Sequence, residues 1–421
     1  MNSNAIMRNV ILGQCAGMLS MLVFQNGFML AFLSYREMSS ANILFLLALP
    51  QLMFFLCLLP AAYLSDQVGK KKLGVFGQIL SVLGFLILLL SSLFSIQSEW
   101  GMFIGIALFG LGTATFASNW FALLKPIVPE EIRGRFFGKM RASWQTSAIV
   151  FTFLSTLVLA KNSSSAVYHS IIASIIIFLI IRLFLYLKIP ELEHNTEKLS
   201  FVSSLRFMLK IPGYLQFCCY LFLLMLFVGG VPWMLNLLEK QYLGFTDNEL
   251  VLMGNFLAIG SLAGFYFGGK IVDHWGTRPV FLLIHFLFGS VLFLFAVRSW
   301  IPFPLMITLG FLTSIYGFCL AASSIASAAE MMLLIPKENV SLTTALNTCM
   351  TAGGSALSGI LAGKILDFEI LSKQWQMWGH TMNEYDTILL GSAMMVMLLV
   401  VTLGLIPSVT GQRQMFPVNR V

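Results

Sequence analysis

Two short loops carry acidic and basic residues whose spacing could do chemistry. Asp66 lies in AYLSDQVGKKK (residues 62–72) and Asp273 lies in GKIVDHWGTRP (residues 269–279), so the two aspartates are 207 positions apart. The glycines and cations that follow them are Gly69, Lys70, Lys71, Gly276 and Arg278. A carboxylate in this setting can pair with a cation or with the amino terminus of a helix, and a glycine permits a tight turn. The pattern therefore indicates charge pairing at a turn.

The same offset of 207 joins a second pair of loops. Pro129, Glu130 and Glu131 correspond to Pro336, Lys337 and Glu338. Because two separate loops agree on one offset, we predict that the second half of the chain is a copy of the first. Six membrane crossings separate the copies, so both halves are expected to have the same orientation in the membrane.

Polar side chains inside apolar runs are the candidates for substrate binding. Two sets, 344/347/348/351 and 141/144/145/148, follow i, i+3, i+4, i+7 spacing and so share one helix face. Polar groups are costly in lipid, so we expect them to face an aqueous cavity, with packing between helices as the alternative. Amides and tryptophans suit neutral, hydroxylated solutes. The candidates are Gln25, Asn26, Asn119, Trp120, Arg141, Trp144, Gln145, Trp233, Asn236, Asn255, Thr344, Asn347 and Thr348.

Motifs for catalysis or for direct use of ATP are missing from the sequence. It contains no G-x-x-x-x-G-K-[ST], no H-E-x-x-H and no G-x-S-x-G. The six cysteines fall inside apolar runs and show no metal-ligand spacing. We therefore predict a protein that is not an enzyme and that has no cofactor and no metal site.

Composition excludes a soluble protein. The 421 residues are 58% hydrophobic and only 10% charged, whereas an average soluble domain carries about 25% charged residues. One membrane helix takes about 20 apolar residues, so the apolar fraction is enough for about twelve spans. The net charge of +7 is interpreted as membrane orientation and not as nucleic-acid binding.

Breaks in hydropathy predict twelve membrane helices, called spans 1 to 12, with a polar stretch between spans 6 and 7. We expect a first half over residues 1–188, a cytoplasmic linker over 189–213 and a second half over 214–421. With the amino terminus inside, 19 of the 25 lysines and arginines lie on the cytoplasmic side, so both termini are predicted to be cytoplasmic.

On these loops and this duplication, the sequence resembles the major facilitator superfamily. Its signature G-x-x-x-D-x-x-G-[RK]-[RK] is met by Asp66, Gly69, Lys70 and Lys71, although Ala62 replaces the first glycine, and PEEIRGRFFGK (residues 129–139) looks like its loop between spans 4 and 5. The resemblance implies an all-α integral membrane fold of two six-helix halves, arranged as parallel repeats. It also implies that these loops gate the cytoplasmic side; a basic loop that only fixes topology is the alternative. The gating residues would be Asp66, Gly69, Lys70, Lys71, Asp273, Gly276, Arg278, Arg133 and Arg135.

The resemblance also implies which spans line the pathway. Spans 1, 4, 7 and 10 would surround the substrate, and spans 3, 6, 9 and 12 would face lipid. Arg182 on span 6 is therefore expected to extend along the lipid face to the headgroups. No Asp or Glu falls in the middle of spans 1, 4, 7 or 8, which weakens the case for proton symport.

The function implied is secondary-active or facilitative transport of a small polar organic solute, sugar-like or a related metabolite, by alternating access. Two alternatives stay open: efflux of lipophilic compounds, and a receptor that binds without transporting. The expected partners are the small-molecule substrate and the lipid bilayer, with no nucleic acid. A coupling ion, H⁺ or Na⁺, is left open. We expect a monomer in the plasma membrane, multi-pass, which is the inner membrane in a bacterium.

Overall fold

The computed structural model describes residues 3–94, 98–124, 126–129, 132–192, 205–206, 208–334 and 340–402. Within them, twelve helices are long and apolar enough to cross a membrane. The first six spans are Ser3–Leu22 with Phe28–Tyr35, Ser40–Val68, Lys70–Phe94, Ser98–Leu124, Arg133–Lys161 and Ser165–Leu187. The last six are Tyr214–Val228 with Val231–Gln241, Asp247–Trp275, Thr277–Ala296, Leu305–Leu334, Val340–Asp367 and Glu384–Thr402. The predicted all-α membrane fold is confirmed. About half of the linker predicted over 189–213 falls outside the described residues, and its bounds stay a prediction.

The faces of the bundle can be named from the order of the spans. The amino terminus and the loops after even-numbered spans share one face, which we call the terminal face. The opposite face carries a β-hairpin between spans 11 and 12, and we call it the hairpin face. Its strands are β1 (Trp375–Met377) and β2 (His380–Met382), which pair antiparallel.

The internal repeat is visible in the helix boundaries. Spans 2 to 5 begin at residues 40, 70, 98 and 133, and spans 8 to 11 begin at 247, 277, 305 and 340, so each pair differs by 207. The turns after spans 2 and 8 form the same backbone hydrogen bond. The Gly69 N–H donates to the Ser65 carbonyl at 3.1 Å, and the Gly276 N–H donates to the Val272 carbonyl at 2.9 Å. Both glycines have positive φ, 109° and 80°, a conformation that other residues adopt only with strain. The two halves are thus parallel repeats.

Spans 1 and 7 are broken near the middle of the bundle. The first helix of span 1 ends at Leu22, and the second begins after Gly27, whose φ is 80°. A Cβ on Gly27 would lie 2.9 Å from the Leu250 carbonyl oxygen, so only glycine lets span 8 approach so closely. Span 7 breaks at residues 229–230, close to the position that the repeat predicts. Broken helices place backbone turns beside the pathway, where transporters bind solutes.

Small residues bring neighbouring spans together. Gly77 and Gly84 on span 3 face Gly112 and Gly105 on span 4, and a Cβ on Gly84 would lie 2.6 Å from the Gly105 carbonyl oxygen. Without a hydrophobic driving force in lipid, such close backbone approach is what holds membrane helices together. The halves are therefore tightly packed units.

Arg182 is placed differently from the prediction. It is 6% exposed and packs against Gly17 of span 1 and Phe116 of span 4. The expectation that it extends along the lipid face is wrong, because its side chain points into the first half, where Gly17 leaves room for it.

Candidate functional site

A cleft that we call the central cleft lies among spans 7, 8, 9 and 10 of the second half, and Gln25 of span 1 is its one lining residue from the first half. Its space of about 310 Å³ is continuous with open solvent, so the cleft is narrow and is not a closed chamber. Four of its lining residues, Pro232, Leu235, Asn236 and Glu239, follow i, i+3, i+4, i+7 spacing along the second helix of span 7 and so form one face. The remaining lining residues are Gln25, Met253, Gly254, Leu257, Phe295, Thr313 and Tyr316. The wall is mostly apolar, with a few polar groups that could orient a ligand.

Glu239 is the most unusual of these residues. Its side chain is 1% exposed, and its Oε2 has no hydrogen-bond partner in the part of the chain that the structure describes. The Thr313 hydroxyl, also on the cleft wall, likewise lacks a partner there. A buried polar atom left unpaired is costly. The cleft therefore offers an acceptor and a hydroxyl that a ligand or a cation can satisfy.

The nearest buried cation already has a partner. Arg298 follows span 9 and forms an ion pair with Asp386 of span 12, and both side chains are buried. Its Nη1 also donates to the carbonyl of Phe295, a residue of the cleft wall, at 2.9 Å. Asp386 balances the charge of Arg298. Arg298 therefore does not form an ion pair with the carboxyl group of Glu239.

Hydrogen bonds join the two halves on the hairpin side of the bundle. The indole Nε1 of Trp233 donates to the Phe24 carbonyl at 2.8 Å. The Tyr168 hydroxyl donates to Asp247 at 2.6 Å, and the Gln241 amide donates to the Ser40 hydroxyl at 3.0 Å. All three bonds join a residue of the first half to a residue of the second.

Spans 5 and 8 form a further contact between the halves, and several predicted residues lie there. The Gln145 amide donates to the Ala258 carbonyl at 2.9 Å, and the guanidinium of Arg141 lies over the ring of Phe265 at 5.5 Å. With its amide turned to suit its neighbours, Asn255 donates to the Ile149 carbonyl at 3.0 Å. The residues predicted to share a face of span 5 do so, but that face packs against span 8. These side chains hold the halves together.

Comparison with known proteins shows the family to which this chain belongs. The family model described as Major Facilitator Superfamily matches residues 13–359. The chain belongs to the major facilitator superfamily. No curated protein matches it.

Solved structures share the fold at low sequence identity. A point mutant of the nucleoside transporter NupG superposes with a TM-score of 0.70 at 13% identity, over 93% of this chain and 98% of that one. The xylose transporter XylE from E. coli, in a partially occluded inward open conformation, gives 0.68 at 13% identity, over 95% and 96%. A bacterial homologue of the iron transporter ferroportin gives 0.61 at 15% identity, over 95% and 98%. These likenesses establish the fold.

The side chains of three predicted substrate residues bond or pack within the first half of this superfamily member. The Asn26 amide donates to Thr152 at 3.1 Å and its oxygen accepts from the Phe28 N–H at 3.2 Å, which ties the break in span 1 to span 5. The Asn119 amide donates to the Thr115 carbonyl at 3.0 Å. Trp120 packs beside Phe116. The structure thus gives each of them packing contacts within the half.

The polar face predicted on span 11 is also present. Asn347 is 8% exposed, and its Nδ2 has no partner among the described residues. Thr348 is exposed, and its hydroxyl donates to the Thr344 carbonyl one turn earlier. Trp144, on span 5, is half-buried. The structure does not bring these residues into the central cleft, where only Gln25 and Asn236 of the predicted set are found.

The loop after span 2 is bound to the end of span 6 and to the residues that follow it. The Lys70 N–H, at the amino terminus of span 3, donates to Glu191 at 2.8 Å, and the Lys71 ammonium donates to the Leu187 carbonyl at 2.9 Å. Asp273, Gly276 and Arg135 are exposed, and Arg278 is half-buried. The side chains of Asp66 and Arg133 lie outside the described part. The gating role of these loops stays a prediction.

The cleft contains residues that the sequence reasoning missed. Glu239, Thr313 and Tyr316 line it, yet hydropathy alone ends span 7 at residue 238. The i, i+3, i+4, i+7 spacing that starts at Pro232 would have identified Glu239. No cluster of three His, Cys, Asp or Glu able to hold a metal occurs in the described ranges.

Proposed function

We propose that this protein carries a small polar organic solute across the plasma membrane by alternating access. The observation that supports this most directly is the cleft beside the contact between the halves, which is lined by Gln25, Asn236, Glu239 and Thr313. Two packed halves that meet through hydrogen bonds at one face can rock about such a site. The terminal face is proposed to be the cytoplasmic one, because it carries most of the cations.

A solute with hydroxyl groups and an apolar ring face fits the lining best. Amide and hydroxyl side chains can bond hydroxyls at the edge of a ring, while Leu257, Phe295 and Tyr316 offer apolar surface to its face. Two of the similar folds are a nucleoside transporter and a xylose transporter, whose solutes contain a sugar ring. We therefore propose sugar-ring compounds as the substrate class.

Glu239 is proposed to bind the coupling cation, H⁺ or Na⁺. A carboxyl group inside a membrane protein and without an ion pair is a common carrier of protons or cations. Its position beside Asn236 would let one cleft hold the solute and the cation together.

A ligand screen tests the substrate class. Purified protein is heated with nucleosides, pentoses, hexoses, amino acids, carboxylates or lipophilic cations, and the unfolding midpoint is recorded. Sugar-ring compounds should raise the midpoint of the wild type, and Gln25→Ala should weaken the response about tenfold, as expected when a ligand hydrogen bond is lost. Ser290→Ala, on span 9, is the matched control, because this exposed hydroxyl bonds only its own helix. Stabilisation by lipophilic cations alone would overturn the proposal in favour of efflux.

A further inference from the structure

A second, smaller cavity lies inside the first half, among spans 1, 4 and 6. Its space of about 180 Å³ is continuous with the outside of the bundle, and the cavity itself is narrow. Its lining residues are Asn9, Val10, Gly13, Phe116, Trp120, Arg182, Tyr186 and Ile189. None of them is acidic, and none belongs to the central cleft. The cavity therefore combines one strong positive charge with apolar and aromatic walls.

Arg182 supplies that charge. It is 6% exposed, and its guanidinium carbon lies 3.8 Å from the centre of the Phe116 ring. Among the residues that the structure describes, no hydrogen-bond acceptor or carboxylate pairs with it. A guanidinium has five N–H donors in a fixed plane, and a stacked ring satisfies none of them, although it attracts the cation.

The surroundings fix the side chain in this place. A Cβ on Gly17 would overlap the Arg182 side chain, so the arginine rests directly on the backbone of span 1. Phe116, Trp120 and Tyr186 form a group of rings with centroids 5.0 to 6.3 Å apart. The Tyr186 hydroxyl is turned to Asn119 at 3.4 Å. The rings thus hold the guanidinium against the cavity without neutralising it.

An unpaired buried charge is costly, and the group that best matches a guanidinium fork is an oxyanion. Phosphate and carboxylate groups accept two parallel N–H bonds from one arginine. Lys is a poorer match because its ammonium is a point charge. We propose that the cavity between spans 1, 4 and 6 binds a phosphate or carboxylate group through Arg182. The source is either a soluble anion or the headgroup of an anionic lipid, since span 6 is an outer helix in this fold.

The test measures thermal unfolding of the purified full-length protein in a neutral detergent. One arm titrates inorganic phosphate against chloride at constant ionic strength, and the other adds phosphatidylglycerol or, as a control, phosphatidylcholine. Phosphate or phosphatidylglycerol should raise the wild-type midpoint saturably, by about 3 °C. A response to phosphate alone assigns a soluble anion, and a response to phosphatidylglycerol alone assigns a lipid headgroup.

Variants connect the response to the arginine. Arg182→Met should abolish it, and Arg182→Lys should weaken it about tenfold because the fork is lost. Lys270→Met is the matched control, since Lys270 also lies over an aromatic ring, that of Tyr266, but is exposed on the second half, and it should keep the full response. If Arg182→Met does not fold, Gly17→Ala, whose methyl group displaces the side chain, replaces it with the same expectation. An equal response in wild type and Arg182 variants, or no wild-type response in either arm, would overturn the proposal.

Discussion

The indole nitrogen of Trp233 donates a hydrogen bond to the backbone carbonyl of Phe24 at 2.8 Å. Trp233 follows the break in span 7, and Phe24 lies within the break in span 1. Phe24 has a carbonyl free to accept this bond because the helix is interrupted there. The two helix breaks of the repeat therefore meet each other and join the halves on the hairpin side of the bundle.

Replacing Trp233 by Phe should open the hairpin face more often. The substitution keeps an aromatic ring and removes the N–H, whose net worth is about 1 kcal/mol, so the ratio of open to closed protein should rise about fivefold. The measurement is the distance between spin labels at Lys161 and Gln374, which lie at the hairpin face on different halves. Trp378→Phe is the control, because this side chain is 80% exposed on the same face. An unchanged distance distribution for Trp233→Phe would contradict the closing role.

Gly254→Ala should disturb the contact between spans 1 and 8. A Cβ at Gly254 would lie 2.5 Å from the Asn26 Cβ, and relieving such an overlap costs about 1–3 kcal/mol. We expect a lower unfolding midpoint and slower transport. Gly269→Ala, on the same helix, meets nothing within 4 Å and should match the wild type. If both variants behave alike, the close approach at Gly254 has no energetic role.

Breaking the Arg298–Asp386 ion pair should be far more harmful than breaking an exposed one. Both side chains are buried, and removing one partner of a buried pair costs about 3–5 kcal/mol. Arg298→Met should therefore lower the unfolding midpoint strongly. Arg298→Met with Asp386→Asn should recover much of it, because the amide oxygen can still accept from the Asn383 N–H. Lys373→Ala breaks the exposed pair with Glu369 and should leave the midpoint unchanged.

The latch role of the first loop can be tested without knowing its partner. Asp66→Asn removes the charge with little change in shape, and we expect slower flux with normal expression, because ion pairing at the closed face is weakened. Lys210→Gln changes the charge of the same face outside the signature and serves as the control. Unchanged flux in Asp66→Asn would leave the loop with a topological role only.

Much of the fold was predictable because it depends on period and repetition. Long apolar runs define spans, and the 207-residue offset between Asp66 and Asp273 predicts parallel halves. The residues of the candidate site were harder to predict from the sequence. Asn26 and Asn119 are polar residues on pathway spans, yet the structure turns both into their own half, since an amide bonds a neighbouring helix as readily as a solute. Periodicity shows that a residue is on a polar face but not which neighbour that face meets. The prediction for Arg182 was wrong for the same reason. Gly17, which is distant in sequence, leaves the space in which the Arg182 side chain is buried.

Glu239→Gln should separate coupling from solute binding. Glutamine has nearly the same shape but cannot take up a proton or neutralise a sodium ion, so accumulation driven by a H⁺ or Na⁺ gradient should fall about tenfold or more. Exchange of labelled for unlabelled solute at equal concentrations needs no net cation movement and should continue. Both rates are measured in proteoliposomes with the solute that the ligand screen identifies. Glu369→Gln is the control, because this carboxylate is exposed and paired with Lys373. If exchange is lost as well while the unfolding midpoint is unchanged, Glu239 contacts the solute itself; if neither rate changes, it does not carry the coupling cation. In the second case the Oε2 atom that lacks a partner in the cleft wall would need a partner other than the coupling cation.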